Sequence, residues 1–223
     1  MESSATSVLL ASASPRRRRL VAWLGLDADL TAVDTPEDLT SPLAAVPAQL
    51  AAAIAAEKAR AARSAGETAR LVLAFDTIVV AEGEVLGKPR DLDDAYRMLR
   101  ALSGRAHRVV TGVALLEPGT GTPRTFAVTT RVEMRDLSDA DIAEWAAKGE
   151  FMGCAGAYNI EHHLASVSLG ECYQNVAGLP LCHLYAALAS GAVAGVPAGL
   201  TSPLGACDAA LGRRCALGRT LAT

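Results

Sequence analysis

Apolar positions in this chain fall into short runs that break at small polar residues, separated by stretches where they recur at helical spacing. Leu9-Leu10-Ala11 meets Ser12-Ala13-Ser14-Pro15, and Leu20, Val21 and Leu24 follow up to Gly25. This predicts a strand, a tight loop and a helix, with Ser14 as N-cap, Pro15 at the first helical position and Gly25 as the stop. Leu30 to Val33 predicts a second strand. A polar, proline-containing loop from Asp34 to Pro47 carries Glu37 and Asp38, and Pro47 to Arg63 reads as an alanine-rich helix with Ile54 and Lys58 on one face.

Leu71 to Phe75 is a continuous apolar run ending at Asp76-Thr77, the pattern of a buried central strand with a polar residue at its end. Ile78 to Val80 and Val85-Leu86 flank Glu82-Gly83-Glu84 as a hairpin would, and Gly87-Lys88-Pro89 follows at once. A helix is expected over Leu92 to Leu102, then strands over Val109 to Leu116 and Phe126 to Met134, then a helix to Lys148 capped by Ser138 with Asp141. These elements predict an α/β fold: a mixed twisted sheet with flanking helices. One domain is expected over residues 1–190. Residues 191–223, rich in glycine, alanine and proline, read as a loose C-terminal extension.

Composition narrows the function. With 223 residues, 51% of them hydrophobic, the chain can bury a substantial core. A net charge of −3 argues against a surface that tracks nucleic acid and confines any anion site to a local cluster, so a small anionic metabolite fits better than a polynucleotide. No run approaches the roughly 20 apolar residues that span a bilayer, and the amino terminus lacks the features of a signal peptide. No membrane is expected, and the cytoplasm is the default location. Five cysteines without a C-x-x-C pair indicate reduced, mostly buried thiols rather than a disulfide framework or a zinc set.

The charge at the first helix start is unusual. Arg16 to Arg19 place cations where the helix dipole is already positive, at about 0.3–1 kcal/mol for each exposed mismatch. A bound phosphate reverses that sign, because free N–H groups, serine hydroxyls and guanidinium forks converge on it. By itself such a run reads as a solvated face. The chain, however, also offers Asp76-Thr77, Gly87-Lys88-Pro89 and Lys58. Chemistry on a triphosphate needs this set: cations for phosphate oxygens, and a carboxylate to hold a divalent metal or take a proton from water.

In order along the chain, Leu10-Ala11-Ser12-Ala13-Ser14-Pro15-Arg16-Arg17, Glu57-Lys58-Ala59, Asp76-Thr77, Leu86-Gly87-Lys88-Pro89, Leu102-Ser103-Gly104, Thr111-Gly112-Val113, Ala155-Gly156-Ala157-Tyr158 and Asn175-Val176-Ala177-Gly178-Leu179-Pro180 resemble the Maf-like nucleoside triphosphate pyrophosphatases. The resemblance covers about residues 7 to 190. It implies hydrolysis of a nucleoside triphosphate to monophosphate and pyrophosphate with a divalent cation (Mg²⁺ or Mn²⁺), a cleft between two α/β lobes, and a homodimer. Asp76 matches the family's proton acceptor, and Ser12, Arg17, Lys58 and Lys88 match its phosphate-facing set. Arg16 and Thr77 match positions linked to substrate choice in the dTTP/UTP branch. Glu37 is the candidate for a family glutamate after the second strand, a metal ligand together with Asp76.

The chain departs from that pattern at Cys154, where the family has a lysine, and at Glu161, where it has a glutamine. Asn159 also replaces a glycine. An amide both accepts and donates, whereas an ionised carboxylate only accepts and better suits a guanine edge with adjacent donors. Guanine-type or methylated nucleotides are therefore a competing substrate class. A catalytically weak nucleotide-binding regulator of septum formation is a competing function. His162 and His163 are adjacent, so on a strand they would face opposite ways, and they read as surface or core residues rather than ligands; Trp23 and Trp145 read as packing residues.

Overall fold

The computed structural model describes residues 7–64 and 69–221. Seven strands form one sheet: β1 (Val8–Ala11), β2 (Ala28–Thr31), β3 (Val72–Ala81), β4 (Glu84–Leu86), β5 (Ala106–Leu116), β6 (Arg124–Met134) and β7 (Ala165–Val167). Their order is β2-β1-β3-β5-β6-β7, with β4 added to β3. β1 is parallel to β2 and β3, and every other pairing is antiparallel. The expected mixed sheet with flanking helices is what the chain forms.

Alternation along β3 assigns its two faces. Leu73, Phe75 and Val79 join the larger core with Leu20, Val21 and Leu24 of α1 (Pro15–Ala22) and Met98, Leu99 and Leu102 of α3 (Leu92–Leu102). Val72 and Ala74 face α2 (Pro47–Ser64), against Ala55, Ala59 and Ala62, and Ile78 and Val80 continue that face against Leu50 and Ile54. The small residues of α2 let it lie close to the sheet. At Gly112 on β5 the approach is so close that a Cβ would sit 2.1 Å from the Ala51 carbonyl oxygen.

Asp76-Thr77 was expected at a strand end; it lies inside β3 instead. What ends there is the neighbour. One edge of β3 is paired with β5 from Val72 to Val80; on the other, β1 covers Val72 to Ala74 and β4 covers Val79 to Ala81. Phe75 to Ile78 therefore have no strand on that second side. The gap admits ligand to the middle of a central strand without breaking it.

Other expectations shift modestly. The second strand lies at Ala28–Thr31 rather than Leu30–Val33, and α1 ends at Ala22, with Gly25 (φ +70°) in the following turn. The Ser138–Asp141 capping box starts α4 (Asp139–Ala147), whose Trp145 is buried with its indole N–H donating to the Ala157 carbonyl at 2.7 Å. His162 ends a 3₁₀ turn (Ile160–His162) and His163 follows it at φ +60°, so neither lies on a strand. His162 hydrogen-bonds Glu150 at 3.2 Å and lies beside Trp145.

The larger correction concerns the tail. Residues beyond 191 include α7 (Leu204–Leu211) and α8 (Ala216–Leu221), with Val193 and Cys207 buried. The Thr201 N–H donates to the Leu24 carbonyl at 2.8 Å, and a Cβ on Gly25 would stand 2.4 Å from the Gly199 carbonyl oxygen. The glycines that read as looseness are what allow backbone to approach backbone.

His107 on β5 is 3% exposed, and its Nε2 shares a 2.7 Å hydrogen bond with the Tyr158 hydroxyl. Burial lowers its pKa from 6.5 to about 4, against weaker opposing effects of the Arg105 backbone and Glu133. The unfolded chain therefore takes up this proton first. Its contribution to stability is complete above about pH 6.5 and is lost as pH falls toward 4. Urea unfolding at pH 7.5 and 5 is expected to show a smaller pH dependence in His107→Asn than in the parent chain. Identical slopes would exclude His107 as the source.

Candidate active site

The gap beside Phe75–Ile78 opens into a cleft of about 680 Å³, within the range of small-molecule sites. Thr77 and Asp76 point to opposite faces of β3, and the chain brings a different group of cations to each.

On the α1 face, Ser14 caps the helix by accepting from the Arg17 N–H, and Ser12 Oγ accepts from the Ser14 N–H at 3.2 Å. This fixes the loop and aims Arg17 back at the sheet. Its Nη2 donates to Thr77 Oγ1 at 2.9 Å, its Nε to the Gly178 carbonyl at 2.9 Å, and its Nη1 to Ser12 Oγ at 3.4 Å. Desolvation lowers the Arg17 pKa, opposed chiefly by the Asp76 charge; the guanidinium remains charged. Arg16 is less committed. Nη1 reaches Cys154 Sγ at 3.3 Å, a weak acceptor, and its buried Nε has no partner.

On the α2 face, Lys58 is buried and its Nζ lies 2.6 Å from Asp76 Oδ1 and 2.7 Å from Glu37 Oε1. Lys88, half exposed, reaches the same Glu37 oxygen at 2.9 Å. Burial alone would raise the Glu37 carboxyl; the charges and hydrogen bonds of Lys58 and Lys88 outweigh it and hold the pKa at about 2. Local packing explains the meeting. A Cβ at Gly87 would fall 2.6 Å from Leu39 Cδ1, so the missing side chain lets the Glu37 segment settle against the Lys88 loop.

Asp76 Oδ1 is taken by Lys58, but Oδ2 is buried without a hydrogen-bond partner. A carboxylate oxygen left so on a cleft wall is prepared for a ligand or water. Among the described residues no group of three or more His, Cys, Asp or Glu is placed to hold a metal by itself. The oxygens of Asp76 and Glu37 nevertheless suit a hard divalent cation that takes one or two carboxylates and completes its shell from phosphates and water.

Glu161 also lines the cleft, in an ion pair with Arg19 of α1. Asn159, near it, accepts the Glu161 N–H at 3.2 Å and donates to Glu150 at 3.3 Å. Every sequence-predicted site residue thus lines this one cleft: Ser12, Arg16, Arg17, Glu37, Lys58, Asp76, Thr77, Lys88 and Glu161.

Sequence reasoning missed the support behind Arg17. Thr77 Oγ1 shares a 3.0 Å hydrogen bond with Thr111, which donates to the Asn175 carbonyl at 3.1 Å. The Asn175 amide donates to the Val109 and Val128 carbonyls and to Thr130 Oγ1. This buried network anchors α5 (Tyr173–Val176) and hence Gly178, whose φ of +101° turns its carbonyl to Arg17. The buried position of threonines and an asparagine within apolar runs was the available signal.

A mixed-sheet α/β protein with a nucleotide-sized cleft, lined by arginines and lysines around a buried carboxylate, is the class this architecture defines. The Maf-like protein family matches residues 7–191, and the chain belongs to that family. It is 42% identical over 188 residues to a dTTP/UTP pyrophosphatase of Syntrophotalea carbinolica, covering 80% of this chain and 82% of the relative. It is 41% identical over 179 residues to one of Pelotomaculum thermopropionicum (79% and 92%), and 39% identical over 201 residues to one of Ralstonia nicotianae (82% and 93%).

Proposed function

We propose that this chain hydrolyses nucleoside triphosphates to the monophosphate and pyrophosphate, with dTTP and UTP as preferred substrates. The observation that carries the reading is Asp76: a buried carboxylate of the cleft lining with one oxygen tied to Lys58 and the other without a partner. The names of the relatives point to the same reaction.

Asp76 Oδ2 accepts a hydrogen bond from water and orients it toward the α-phosphorus, taking its proton as the bond forms. Lys58, Lys88, Arg16 and Arg17 face the phosphate oxygens and stabilise the charge that gathers on the departing pyrophosphate. Lys58 also holds Asp76 in place, since its Nζ binds Oδ1 and leaves Oδ2 without a partner. A divalent cation held by Asp76 and Glu37 would supply further charge neutralisation at the phosphates. Among the described residues no helix is long and apolar enough to cross a membrane. Assembly as a homodimer is part of the proposal, carried from the family resemblance, and sedimentation of the purified chain measures it.

The departure at Glu161 bears on the base. Uracil and thymine present an N–H flanked by carbonyls, and a carboxylate alone can accept from the first but donate to neither. Arg19, paired with Glu161, supplies the donor. Together they offer the acceptor and donor that one glutamine amide would. Arg19→Ala is therefore expected to shift the UTP-to-GTP ratio of kcat/KM toward GTP by about tenfold or more, the scale of one mismatched polar contact. An unchanged ratio removes the pair from base selection. Preference for GTP in the parent chain would favour the guanine reading of Glu161.

Pyrophosphate release from a panel of ordinary, methylated and deaminated triphosphates, with Mg²⁺ or Mn²⁺, tests the whole reading. Nucleotide binding without release across the panel would favour a regulator instead.

A further inference from the structure

Among the described residues, three that line the cleft hold a buried polar atom without a hydrogen-bond partner: Asp76 Oδ2, Arg16 Nε and Thr35 Oγ1. Asp76 and Arg16 already belong to the proposed reaction. Thr35 has no role in it. A comparable atom such as His183 Nδ1, on α6 (Leu181–Ala189), is not part of the cleft lining. Buried polar groups are nearly always bonded, so an orphaned hydroxyl in a binding cleft asks for an explanation.

Local sequence accounts for how the hydroxyl comes to be left over. Thr35 precedes Pro36, whose ring disfavours helical backbone at the residue before it, and a β-branched side chain also favours extended backbone. Exposure alternates accordingly: Val33, Thr35, Glu37 and Leu39 are half-buried, whereas Asp34, Pro36 and Asp38 are exposed. Further along the same loop, short polar side chains are committed to the backbone. Asp38 accepts the Thr40 N–H at 3.0 Å and Ser41 the Leu43 N–H at 3.2 Å. Thr35 makes no such bond.

Its neighbours on the half-buried side indicate what part of a ligand it meets. Val33 packs against Leu9 and Ala11 of β1 and Ala55 and Ala59 of α2, just before Ser12. Glu37 is bound by Lys58 and Lys88. At about 3.3 Å per residue, Thr35 stands roughly 7 Å along the segment from each. It thus lies between the Ser12 end of β1 and the two lysines, all of them groups that face phosphate in the proposed reaction. An ionised triphosphate offers oxygen acceptors and no donors, so a hydroxyl that meets it donates.

We propose that Thr35 is a further substrate-binding residue, whose hydroxyl donates a hydrogen bond to a phosphate oxygen of the bound nucleotide. The inference rests on the hydrolytic reading of the cleft and adds to it a neutral, directional donor among the cations. One staggered step about χ1 moves the hydroxyl without moving the backbone. Donation to a charged oxygen is stronger than to a neutral one, and it ends the cost of a buried hydroxyl without a partner.

Thr35→Val exchanges the hydroxyl for a methyl of nearly the same size. With Mg²⁺, kcat/KM for UTP is expected to fall by about tenfold or more, and the Kd for inorganic tripolyphosphate to rise by a similar factor, the scale of one hydrogen bond to a charged group. The melting midpoint should be no lower than that of the parent, because the hydroxyl removed bonds nothing in the protein. Thr35→Ser keeps the hydroxyl and should restore both constants to within about threefold, well inside the effect of losing the bond. Four results would each overturn the proposal: tripolyphosphate that the parent does not bind, equal tripolyphosphate affinity in parent and Thr35→Val, a loss that Thr35→Ser shares, or a lowered melting midpoint accompanying the loss. Should the parent release no pyrophosphate from UTP, the hydrolytic reading fails, and the tripolyphosphate affinities alone decide the role of Thr35.

Discussion

Asp76→Asn is expected to lower pyrophosphate release by about a thousandfold or more while the protein still folds. The amide is nearly isosteric, and its carbonyl oxygen still accepts from Lys58. What disappears is the charge and the capacity to take a proton from water, worth about 10²–10⁴ in rate before any loss of metal affinity is added. The fold survives because Lys58 retains Glu37 at 2.7 Å. Steady-state turnover beside a circular dichroism melt measures both. Turnover within tenfold of the parent would remove Asp76 from the chemistry, and a chain that fails to fold would show that its role in the ion cluster is structural first.

Lys58→Met is the second large effect, and here stability moves as well. The substitution leaves Asp76 and Glu37 facing each other, with only Lys88 at the mouth of the cleft. Removing one partner from a buried ion cluster costs about 3–5 kcal/mol. The pH dependence identifies the cause. In the parent chain Glu37 titrates near 2, below its ordinary 4.5, so its ion pairing stabilises fully above about pH 4.5 and is lost as pH falls through 2. Without Lys58, burial dominates and Glu37 moves upward. The stability deficit of the variant should then be largest near neutrality and shrink as pH falls to 4, where protonation relieves the repulsion. Urea unfolding at pH 7 and pH 4 reads this directly, and equal deficits would show that carboxylate repulsion is not the source.

Much of this could be read from the residues. The Ser14-Pro15 start of α1, the Glu82-Gly83 hairpin, the Ser138–Asp141 box and the helix Leu92–Leu102 rest on local rules, and local rules act without the rest of the chain. Lys58 was placed by helical periodicity, and Glu37 by order along the chain. The strand end at Asp76 was misread because a strand's own residues do not say where its neighbour stops. The network through Thr111 and Asn175 is likewise a property of three segments at once. The tail was misjudged for a related reason: glycine marks both freedom and close approach, and only tertiary contact separates the two.

The interrupted edge of β3 also divides the cleft into a stiff wall and a compliant one. Asp76 and Thr77 sit in a strand paired along its other side with β5, which fixes their backbone; in such an antiparallel pair one of their two amides is directed at β5 and the other at the open edge. Glu37 lies in a segment of irregular backbone between β2 and α2, held by its lysines and by Leu39 against Gly87. On the proposed reading, adjustment to different nucleotides would fall to the Glu37 side, while the geometry at Asp76 would stay constant from one substrate to the next.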